Sequence, residues 1–462
     1  MNDQTSQAAG EEHGEDEYAL DRGLVAQVQL ALAAGDADRL AELFDPLHPA
    51  DIADLLEQLD DGRRRELLLL AGHLIDGEVL SEIDEDVREG VIEFLPDEQL
   101  ADAVRELESD DVVDILEDLG EPQQEAILEA LDTGDRIGVE QSLSFPEDSA
   151  GRLMQREVVT APEHWQVGDA IDHLREREDL PGQFYHVILV DPRHEPVAYV
   201  TLGRVMSSRR DVPLSAITEE SFRTFRVDED EGDVAYAFNQ YHLISAPVVD
   251  AAGRLAGVIT IDDAMAVLDE EHEEDVFRLA GVGDESLSTS TSKIVWRRFP
   301  WLAVNLVTSI IASIVIAQFE DVLLAVVALA VLMPIVASMG GNAATQSMTV
   351  AVRALAKRDL TSSNALRVVW RESLAGFLNG GLFAVIMGVI GYAWFGSPLL
   401  GVVIGVAMIV NLVVAGFSGV LVPIALERVR VDPALASGSL VTTVTDVVGF
   451  FTFLGLASLV LL

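Results

Sequence analysis

One carboxylate, Asp446, lies inside the last apolar stretch of the chain, Gly438 to Leu462. A helix of this length can cross a bilayer core of about 30 Å. A carboxylate at membrane depth costs on the order of 3 kcal/mol on insertion scales, so we expect it to face a wet interior and to meet a cation or a donor. Thr442 and Thr443 lie one turn earlier. The pattern predicts an ion pathway; an Asp446 that snorkels or stays protonated against another helix is the alternative.

A second apolar stretch, Val322 to Met348, carries a polar row after Gly340 and Gly341. The row consists of Asn342, Thr345, Gln346 and Thr349. Their three- and four-residue spacing places them on one helical face. Polar side chains in membranes often serve only to join helices, but Asp446 needs a polar counterpart. The sequence therefore predicts that Asn342 and Gln346 line the same pathway as Asp446.

Five apolar runs must position these residues, and most are long enough to span a bilayer. They are Phe299–Phe319, Val322–Met348, Ser373–Phe395, Leu399–Leu426 and Gly438–Leu462. Basic residues precede the first run and fill the connections after the second and fourth, whereas the other two connections have none. The positive-inside rule therefore predicts a multi-pass cell-membrane protein with a cytoplasmic N-terminus and with Leu462 outside.

Charge and composition divide the chain into an acidic part and an apolar part. The net charge of -48 belongs almost wholly to the first 290 or so residues, and Lys293 and Lys357 are the only lysines. Such a surface would repel nucleic acid phosphates, so we expect no nucleic acid partner. It fits a halophilic protein kept soluble in a very salty cytoplasm, or one that binds divalent cations; the two explanations are compatible.

The sequence contains no constellation typical of an enzyme. Without cysteine, thiolate metal sites, disulfides and cysteine nucleophiles are excluded. It lacks the phosphate-binding loop G-x-x-x-x-G-K-S/T, the zinc motif H-E-x-x-H and the nucleophile motif G-x-S-x-G. The missing phosphate loop also argues against an ATP-driven pump.

The acidic part begins with a predicted disordered tail, residues 1–20, and continues with a helical N domain, residues 21–145. A capped amphipathic motif recurs in this domain at His48–Asp60, Leu95–Leu107 and Ser109–Gly120. Stacked short helices of this kind form superhelical arrays, because one pair alone cannot bury its apolar face.

An internal duplication follows within residues 146–268. Tyr185–Met206 aligns with His242–Met265 so that Asp191 matches Asp250 and Thr201 matches Thr260. Each copy predicts strand, turn, strand and helix, and the region resembles a CBS-domain pair. Such pairs often hold ATP or another adenosine nucleotide. The ribose-binding acidic position falls on Asp262 or Asp263 in copy two but on Gly203 and Arg204 in copy one, so we expect any nucleotide site to be lopsided.

A connecting segment, residues 269–296, joins this pair to the membrane part, residues 297–462. Its first half, Asp269–Val282, is acidic and predicts a helix. A helix in this place is suited to transmit motion from a sensor to a membrane domain; a rigid connector is the alternative.

The whole order of domains resembles the MgtE family of magnesium channels and transporters. The most specific elements are GGNAATQSMTVAVRALA from Gly340 and DPALASGSLVTTVTDVVG from Asp432. The resemblance implies an all-α superhelical N domain, an α/β CBS-domain pair, a connecting (plug) helix and an α-helical membrane domain of five spans. It also implies a homodimer, surrounded by lipid, with an ion path on its axis.

The resemblance also assigns residues. The pore aspartate of the family falls on Asp446, and an acidic position at the cytoplasmic mouth falls on Asp432. Its metal-sensing carboxylates match the following residues of the connecting helix and of the second CBS copy: Glu271, Glu274, Asp275 and Asp263. The chain departs from the family at Ala266, where a further sensing aspartate is expected, and at Ala344, where glycine is common.

These inferences converge on a Mg²⁺-selective channel or transporter that moves Mg²⁺ into the cytoplasm. We expect cytosolic Mg²⁺ to close it by bridging carboxylates on the N domain, the CBS pair and the connecting helix, with Asp111 and Asp114 as the N-domain ligands. Two alternatives stay open: another transported divalent cation such as Co²⁺ or Mn²⁺, because an all-oxygen site only favours Mg²⁺, and a membrane-anchored ion or nucleotide sensor without transport.

Overall fold

The apolar and acidic parts of the chain fold as two compact units, one ending at Glu271 and one beginning at His272. The computed structural model describes residues 20, 22–105, 107–117, 119–177, 180–282, 291–361 and 363–462. The predicted disordered tail, apart from Leu20, lies outside the described residues, as does the stretch 283–290 of the connecting segment.

Ten α-helices form the described N-terminal part of the first unit. They are α1 (Arg22–Ala34), α2 (Ala37–Phe44), α3 (Pro49–Gln58), α4 (Asp61–Ala71), α5 (Gly77–Glu82), α6 (Glu85–Ile92), α7 (Asp97–Val104), α8 (Ser109–Glu117), α9 (Glu121–Ala130) and α10 (Thr133–Leu143), with a 3₁₀ turn at Gly72–Leu74. Their leucines, isoleucines and valines form one continuous core. Side-chain caps start several helices; Asp36, Asp60 and Asp76 each accept a hydrogen bond from the backbone N–H three residues later.

Two small sheets follow, and each has the same topology. The elements are α11 (Ala150–Leu153), β1 (Thr160–Pro162), α12 (Val167–Glu176), β2 (His186–Val190), β3 (Pro196–Thr201), α13 (Leu202–Ser207), β4 (Phe225–Arg226), α14 (Glu231–Tyr241), β5 (Ser245–Val249) and β6 (Leu255–Thr260), with a 3₁₀ turn at Leu214–Ala216. In each sheet the first strand runs parallel to the second, and the second runs antiparallel to the third.

The duplication read from the sequence is confirmed by the strand register. Pairing shifts between Leu189 and Val190 in one sheet and between Val248 and Val249 in the other, at equivalent positions. The matched aspartates explain the equivalence, because each closes the turn that follows. Asp191 Oδ1 accepts hydrogen bonds from two backbone N–H groups at 2.8 Å, and Asp250 Oδ1 accepts two at 2.8 and 3.0 Å.

Helix α15 (Ile261–Ala280) joins the last strand to the connecting segment without a break. The sequence places a boundary near residue 268, but no glycine or proline interrupts the chain before Gly281, where the backbone turns left-handed at φ +70°. The second CBS copy and the connector therefore share one helix.

Among the described residues, five long apolar helices make up the membrane part, as predicted. They are α16 (Thr291–Ala317), α18 (Ala328–Ala356), α19 (Ala365–Phe395), α20 (Pro398–Arg428) and α21 (Pro433–Leu461), with the short α17 (Glu320–Ala325) before α18. The second span starts later and ends later than predicted. Its polar row continues the helix to Ala356, and the residues assigned to its start form α17 instead.

Candidate functional site

The polar row of the second span lies on the accessible side of α18. Asn342, Thr345, Gln346 and Thr349 are all exposed in the single chain, whereas Ala344 and Met348 on the opposite face are buried. Thr345 Oγ1 donates to the carbonyl of Gly341, and Thr349 Oγ1 donates to that of Thr345, each at 3.0 Å. Both hydroxyl protons are therefore used inside the helix, so the oxygens present lone pairs outward.

The fifth span repeats this arrangement. Thr442 Oγ1 donates to the Gly438 carbonyl at 2.9 Å, and Thr443 Oγ1 donates to the Ser439 carbonyl at 2.5 Å. Thr442 is exposed and Asp446 is half-buried one turn later. Asp446 supplies the single carboxylate of a face whose other polar atoms are hydroxyl oxygens.

The two polar faces adjoin each other. Helix α18 packs along α21, and a Cβ added at Gly341 would lie 3.8 Å from the Thr442 methyl group. The turn that carries Asn342 therefore lies beside α21, at a spacing that would also admit an alanine at position 341. Asn342 itself donates its amide N–H to Ser338 Oγ at 3.4 Å, which leaves its carbonyl oxygen available as an acceptor.

Such a surface is suited to a hydrated cation. The water molecules around a metal ion point their hydrogens outward, and a lining of hydroxyl, amide and carboxylate oxygens can accept from them. Mg²⁺ sheds its water reluctantly and binds through few carboxylates, so one charged residue among neutral acceptors matches its preferences.

Two polar residues near this site were not predicted from the sequence. Glu372 lies in the first turns of α19 and accepts a hydrogen bond from Ser347 of α18 at 3.2 Å. Asn411 lies in the middle of α20 and is fully buried. Asn411 is an uncharged polar residue inside a long apolar run, which was a signal that the sequence offered; Glu372 directly precedes the run in which the third span was placed.

Asp432, predicted at the mouth of the pathway, caps the fifth span. Its Oδ1 accepts from the backbone N–H of Ala434 at 2.7 Å. Its Oδ2 lies 2.9 Å from Arg278 Nη1 but off the N–H direction, so this contact is an ion pair without hydrogen-bond geometry. Arg278 also pairs with Glu274. One guanidinium therefore neutralises two of the predicted metal ligands.

Asp275, one residue beyond Glu274, pairs with no arginine or lysine among the described residues. Burial, with the negative charge of Asp432 as the next cause, raises the pKa of the Asp275 carboxyl, and His272 partly offsets that rise. A divalent cation would bind favourably here, because it would offset the negative charges of Asp275 and its neighbour Asp432.

Four carboxylates crowd together in the first unit, where α8 begins and α15 begins. Asp111 and Asp263 were predicted as ligands, and the structure adds Glu108 and Asp110 beside them. Burial, followed by the charge of Asp263, raises the pKa of Asp111 to about 7 and raises that of Asp110 strongly. Burial likewise raises the pKa of Glu108 and of Asp263. We call these four residues the acidic cluster.

Asp114, by contrast, is engaged elsewhere. Its Oδ2 lies 2.5 Å from Nη1 of Arg88, whose side chain is buried. Glu271 lies against the start of α14, where a Cβ on Gly232 would come within 2.7 Å of its Oε1. There a second acidic group forms, since burial and the charges of Asp148 and Glu270 raise the pKa of Glu231 to about 7.

Within the described residues, no three histidine, aspartate or glutamate side chains converge closely enough to hold a metal ion. Like charges repel, so carboxylates spread apart unless a cation or protons hold them. The structure thus brings Asp111 and Asp263 together, and it shows Glu274 and Asp432 in ion pairs with the same arginine, Arg278. The metal-binding roles of all eight candidate ligands stay predictions.

The CBS copies meet through matched polar positions. His186 Nδ1 of the first copy lies 2.5 Å from Ser245 Oγ of the second, and burial lowers the pKa of His186 to about 4. At the predicted ribose position of copy two, Asp263 accepts from Thr260 Oγ1 at 2.5 Å, whereas Asp262 is exposed. In copy one, the equivalent Thr201 caps α13 instead: its Oγ1 accepts a hydrogen bond from the backbone N–H of Arg204.

A helical domain, a CBS pair and five apolar spans, the last of which carries one carboxylate, are the architecture of a membrane transport protein with a large soluble part. Family models agree: "Divalent cation transporter" matches residues 333–456, "MgtE intracellular N domain" matches 47–148, and "CBS domain" matches 150–211 and 214–270.

Relatives agree over nearly the full length. The magnesium transporter MgtE of Thermus thermophilus is 32% identical over 96% of this chain and 99% of its own, and that of Bacillus subtilis is 27% identical over 94% and 97%. A solved cytosolic domain of the Mg²⁺ channel MgtE, in complex with ATP, is 29% identical and covers 53% of this chain and 100% of its own at a TM-score of 0.48. The chain belongs to the MgtE family, and the predicted family and fold class are confirmed.

Proposed function

We propose that this protein is a Mg²⁺-selective channel or transporter that carries Mg²⁺ across the cell membrane into the cytoplasm. The observation that supports it most is the joined oxygen surface of α18 and α21, with Asp446 as its one carboxylate. Relatives that are named magnesium transporters match this chain almost end to end. A hydrated Mg²⁺ would lose little water there, and release stays feasible because few ligands are charged.

A second copy of the chain completes the pathway in this proposal. The exposed row on α18 and Thr442 on α21 are polar at membrane depth, where contact with lipid is unfavourable. Pairing two chains across a twofold axis would cover both rows and bring two Asp446 carboxylates toward one ion. The lipid-facing surface would then consist of the exposed apolar residues of α16 and α19.

The arginines near the helix ends support a cytoplasmic N-terminus in this proposal. Arg297 and Arg298 lie in the first turns of α16, and the ends of α18 and α20 carry Arg353 and Arg428. Placing all of these on the cytoplasmic side puts the N domain and the CBS pair in the cytoplasm and Leu462 outside.

Regulation by cytosolic Mg²⁺ is supported by the acidic cluster. Glu108 directly precedes α8, Asp110 and Asp111 lie in its first turn, and Asp263 lies in the first turn of α15, the helix that continues into the connector. A divalent cation between them would remove their repulsion and hold the N domain against α15. Mg²⁺ thus favours one of two arrangements by its differential affinity. Glu271, Glu274 and Asp275 lie farther along the same helix and serve the same role in this proposal.

The CBS pair also offers a place for ATP or a related adenosine nucleotide. In copy two the carboxylate of Asp262 is exposed beside Thr260, whereas Asp263 is occupied by its bond to that threonine. We assign the ribose contact to Asp262. Calorimetric titration with ATP should show binding that weakens at least tenfold in Asp262→Asn and is unchanged in Asp191→Asn, whose carboxylate closes a turn in copy one.

Flux into proteoliposomes tests transport directly. Purified protein is reconstituted, a membrane potential is imposed, and Mg²⁺, Mn²⁺, Co²⁺ and Ca²⁺ are supplied in turn. We expect Mg²⁺ to give the largest flux, and we expect flux to fall as Mg²⁺ rises on the side of the soluble domains. Preference for Mn²⁺ or Co²⁺ would keep the class and change the ion.

Asp446→Asn separates transport from the alternative of a membrane-anchored sensor. The substitution removes the single charge of the oxygen surface, so Mg²⁺ flux should fall at least a hundredfold while the protein stays folded. Asp359→Asn is the matched control, because Asp359 is exposed in a connection between spans. Equal flux from Asp446→Asn and the wild type, or none from either, would favour the sensor.

A further inference from the structure

Asn411 of α20 is buried behind both pathway helices. None of its surface is exposed, and its Nδ2 donates to the carbonyl of Val336 on α18 at 2.9 Å. No donor in the described part of the chain reaches its Oδ1. An amide with an unpaired oxygen is a costly way to fill apolar space. A leucine of similar volume would fill it without that cost, so packing alone does not account for the residue.

Two glycines, one on each pathway helix, make room for this amide. A Cβ on Gly340 of α18 would lie 2.1 Å from Nδ2, and a Cβ on Gly449 of α21 would lie 2.8 Å from the same atom. Neither distance is physically possible without displacement, since carbon and nitrogen in contact lie well beyond 3 Å apart. The side chain of Asn411 is therefore enclosed between the backbones of α18 and α21.

These contacts fix how the two polar faces are aligned. Asn342 follows Gly340 by two residues, roughly 3 Å along the helix, and Asp446 precedes Gly449 by three, roughly 4.5 Å. Consecutive spans alternate in direction, so the second and fifth run antiparallel, and both displacements point the same way. A single contact point at Asn411 thus places Asn342 and Asp446 at nearly the same depth.

We infer that Asn411 is the positioning residue that holds Asn342 and Asp446 in register, and so sets how the pathway fits its ion. In this inference Asn411 acts through the two helices, because none of its surface is exposed to the pathway. This inference rests on the proposed function for its transport readout, but its geometric content is independent of transport.

Transport kinetics provide the first test. Asn411→Leu keeps volume and removes the amide, and it should raise the KM for Mg²⁺ or lower the Mg²⁺ to Ca²⁺ flux ratio at least fivefold. Ser418→Ala is the matched control: Ser418 is also buried on α20, but its hydroxyl donates only to carbonyls of its own helix. Unchanged KM and unchanged selectivity in Asn411→Leu would overturn the inference.

A double-mutant cycle covers the case in which Asn411→Leu does not fold. In Gly340→Ala the added methyl group would clash with the side-chain amide of Asn411, so flux should fall at least tenfold. Combining it with Asn411→Ala frees that space, so the double variant should return to within about threefold of Asn411→Ala alone. Effects that simply multiply would show that the two residues act separately and would overturn the inference.

Thiol labelling distinguishes this inference from the transport proposal. Because the chain has no cysteine, Asn342→Cys is the only thiol in the variant protein. Its rate of modification by a small charged methanethiosulfonate should change at least fivefold when Asn411→Leu is added, and should not change with Ser418→Ala. Even if the wild type carried no Mg²⁺, equal labelling rates would still reject the positioning role.

Discussion

The acidic cluster of the first unit and the oxygen surface around Asp446 differ in how many carboxylates they bring together. The cluster gathers four carboxylates whose pKa values are all raised by burial. The surface around Asp446 has one carboxylate, and its other polar atoms are threonine hydroxyls and amides. Crowded carboxylates create a strong demand for a cation, whereas a lone one surrounded by neutral acceptors lets a cation leave. The contrast is suited to a sensor and to a pathway, respectively.

A third arrangement lies between these two. At the junction of the connector and the fifth span, Arg278 neutralises Glu274 and Asp432 with a cation of the chain itself. The difference shows that acidic residues at predicted metal positions are not equivalent; what distinguishes them is whether an arginine already occupies the place of the metal.

Neutralising the acidic cluster should have the largest effect on regulation. In Asp110→Asn combined with Asp111→Asn, the Mg²⁺ concentration that halves flux should rise at least tenfold, because less repulsion remains for Mg²⁺ to relieve. Flux into proteoliposomes at increasing Mg²⁺ on the soluble-domain side measures it. Glu125→Gln, an exposed carboxylate on α9, is the control. Unaltered inhibition would mean that the cluster is no sensor and would remove one side of the comparison.

The same cluster predicts a pH dependence of stability. The pKa of Asp111 is about 7 in the folded chain and 3.8 when the side chain is solvated, as in the unfolded chain. Between about pH 4 and 7 the folded chain therefore binds more protons than the unfolded chain does. Its stabilising contribution is complete below about pH 4 and is lost as pH rises through 7. Without divalent cations, the unfolding midpoint of the full chain should therefore fall by a few degrees from pH 5 to pH 8.

Two measurements attribute that slope to the cluster. Millimolar Mg²⁺ should flatten it, because the cation replaces the protons, and Asp111→Asn should reduce it without Mg²⁺. A slope that ignores both changes would have to come from carboxyls elsewhere in the chain.

Removing Arg278 at the junction should change the Mg²⁺ concentration of half-inhibition by a smaller factor than neutralising the acidic cluster. Arg278→Gln leaves Glu274 and Asp432 without their cation, so the two should attract Mg²⁺ more strongly. We expect half-inhibition at roughly three- to tenfold lower Mg²⁺. Arg209→Gln, which breaks an exposed pair with Asp211, should leave it unchanged. A shift toward higher Mg²⁺ would instead identify the ion pair as part of the closed arrangement.

The smallest effect is expected from a single hydroxyl of the pathway. Thr442→Val removes one neutral acceptor for the water shell of the ion, and flux should fall about two- to fivefold, the scale of one modest hydrogen bond. Thr308→Val is a close control, because Thr308 on the first span makes the same kind of bond to its own helix, at 2.9 Å. Equal losses in the two variants would point to helix stability rather than to ion contact.

Local patterns in the sequence were sufficient for much of this molecule. Apolar runs predict five spans because length and composition alone make a helix fit a bilayer. Three- and four-residue spacing predicts the polar row from Asn342, and the aligned copies predict two like sheets down to a shared shift in register. Each of these properties depends on residues close together in sequence, or on repetition of such a stretch.

Only the tertiary structure decided which charges and amides meet. Asp263 at the start of α15 meets Glu108, Asp110 and Asp111 at the start of the distant helix α8, Asp114 pairs with Arg88, and Asn411 reaches two glycines on other spans. The spacing of apolar residues along the sequence does not predict these contacts, because electrostatic and packing partners depend on how whole helices pack together. The sequence by itself determined the elements and their faces; docking determined which acidic residues keep a surplus of negative charge for a metal ion to relieve.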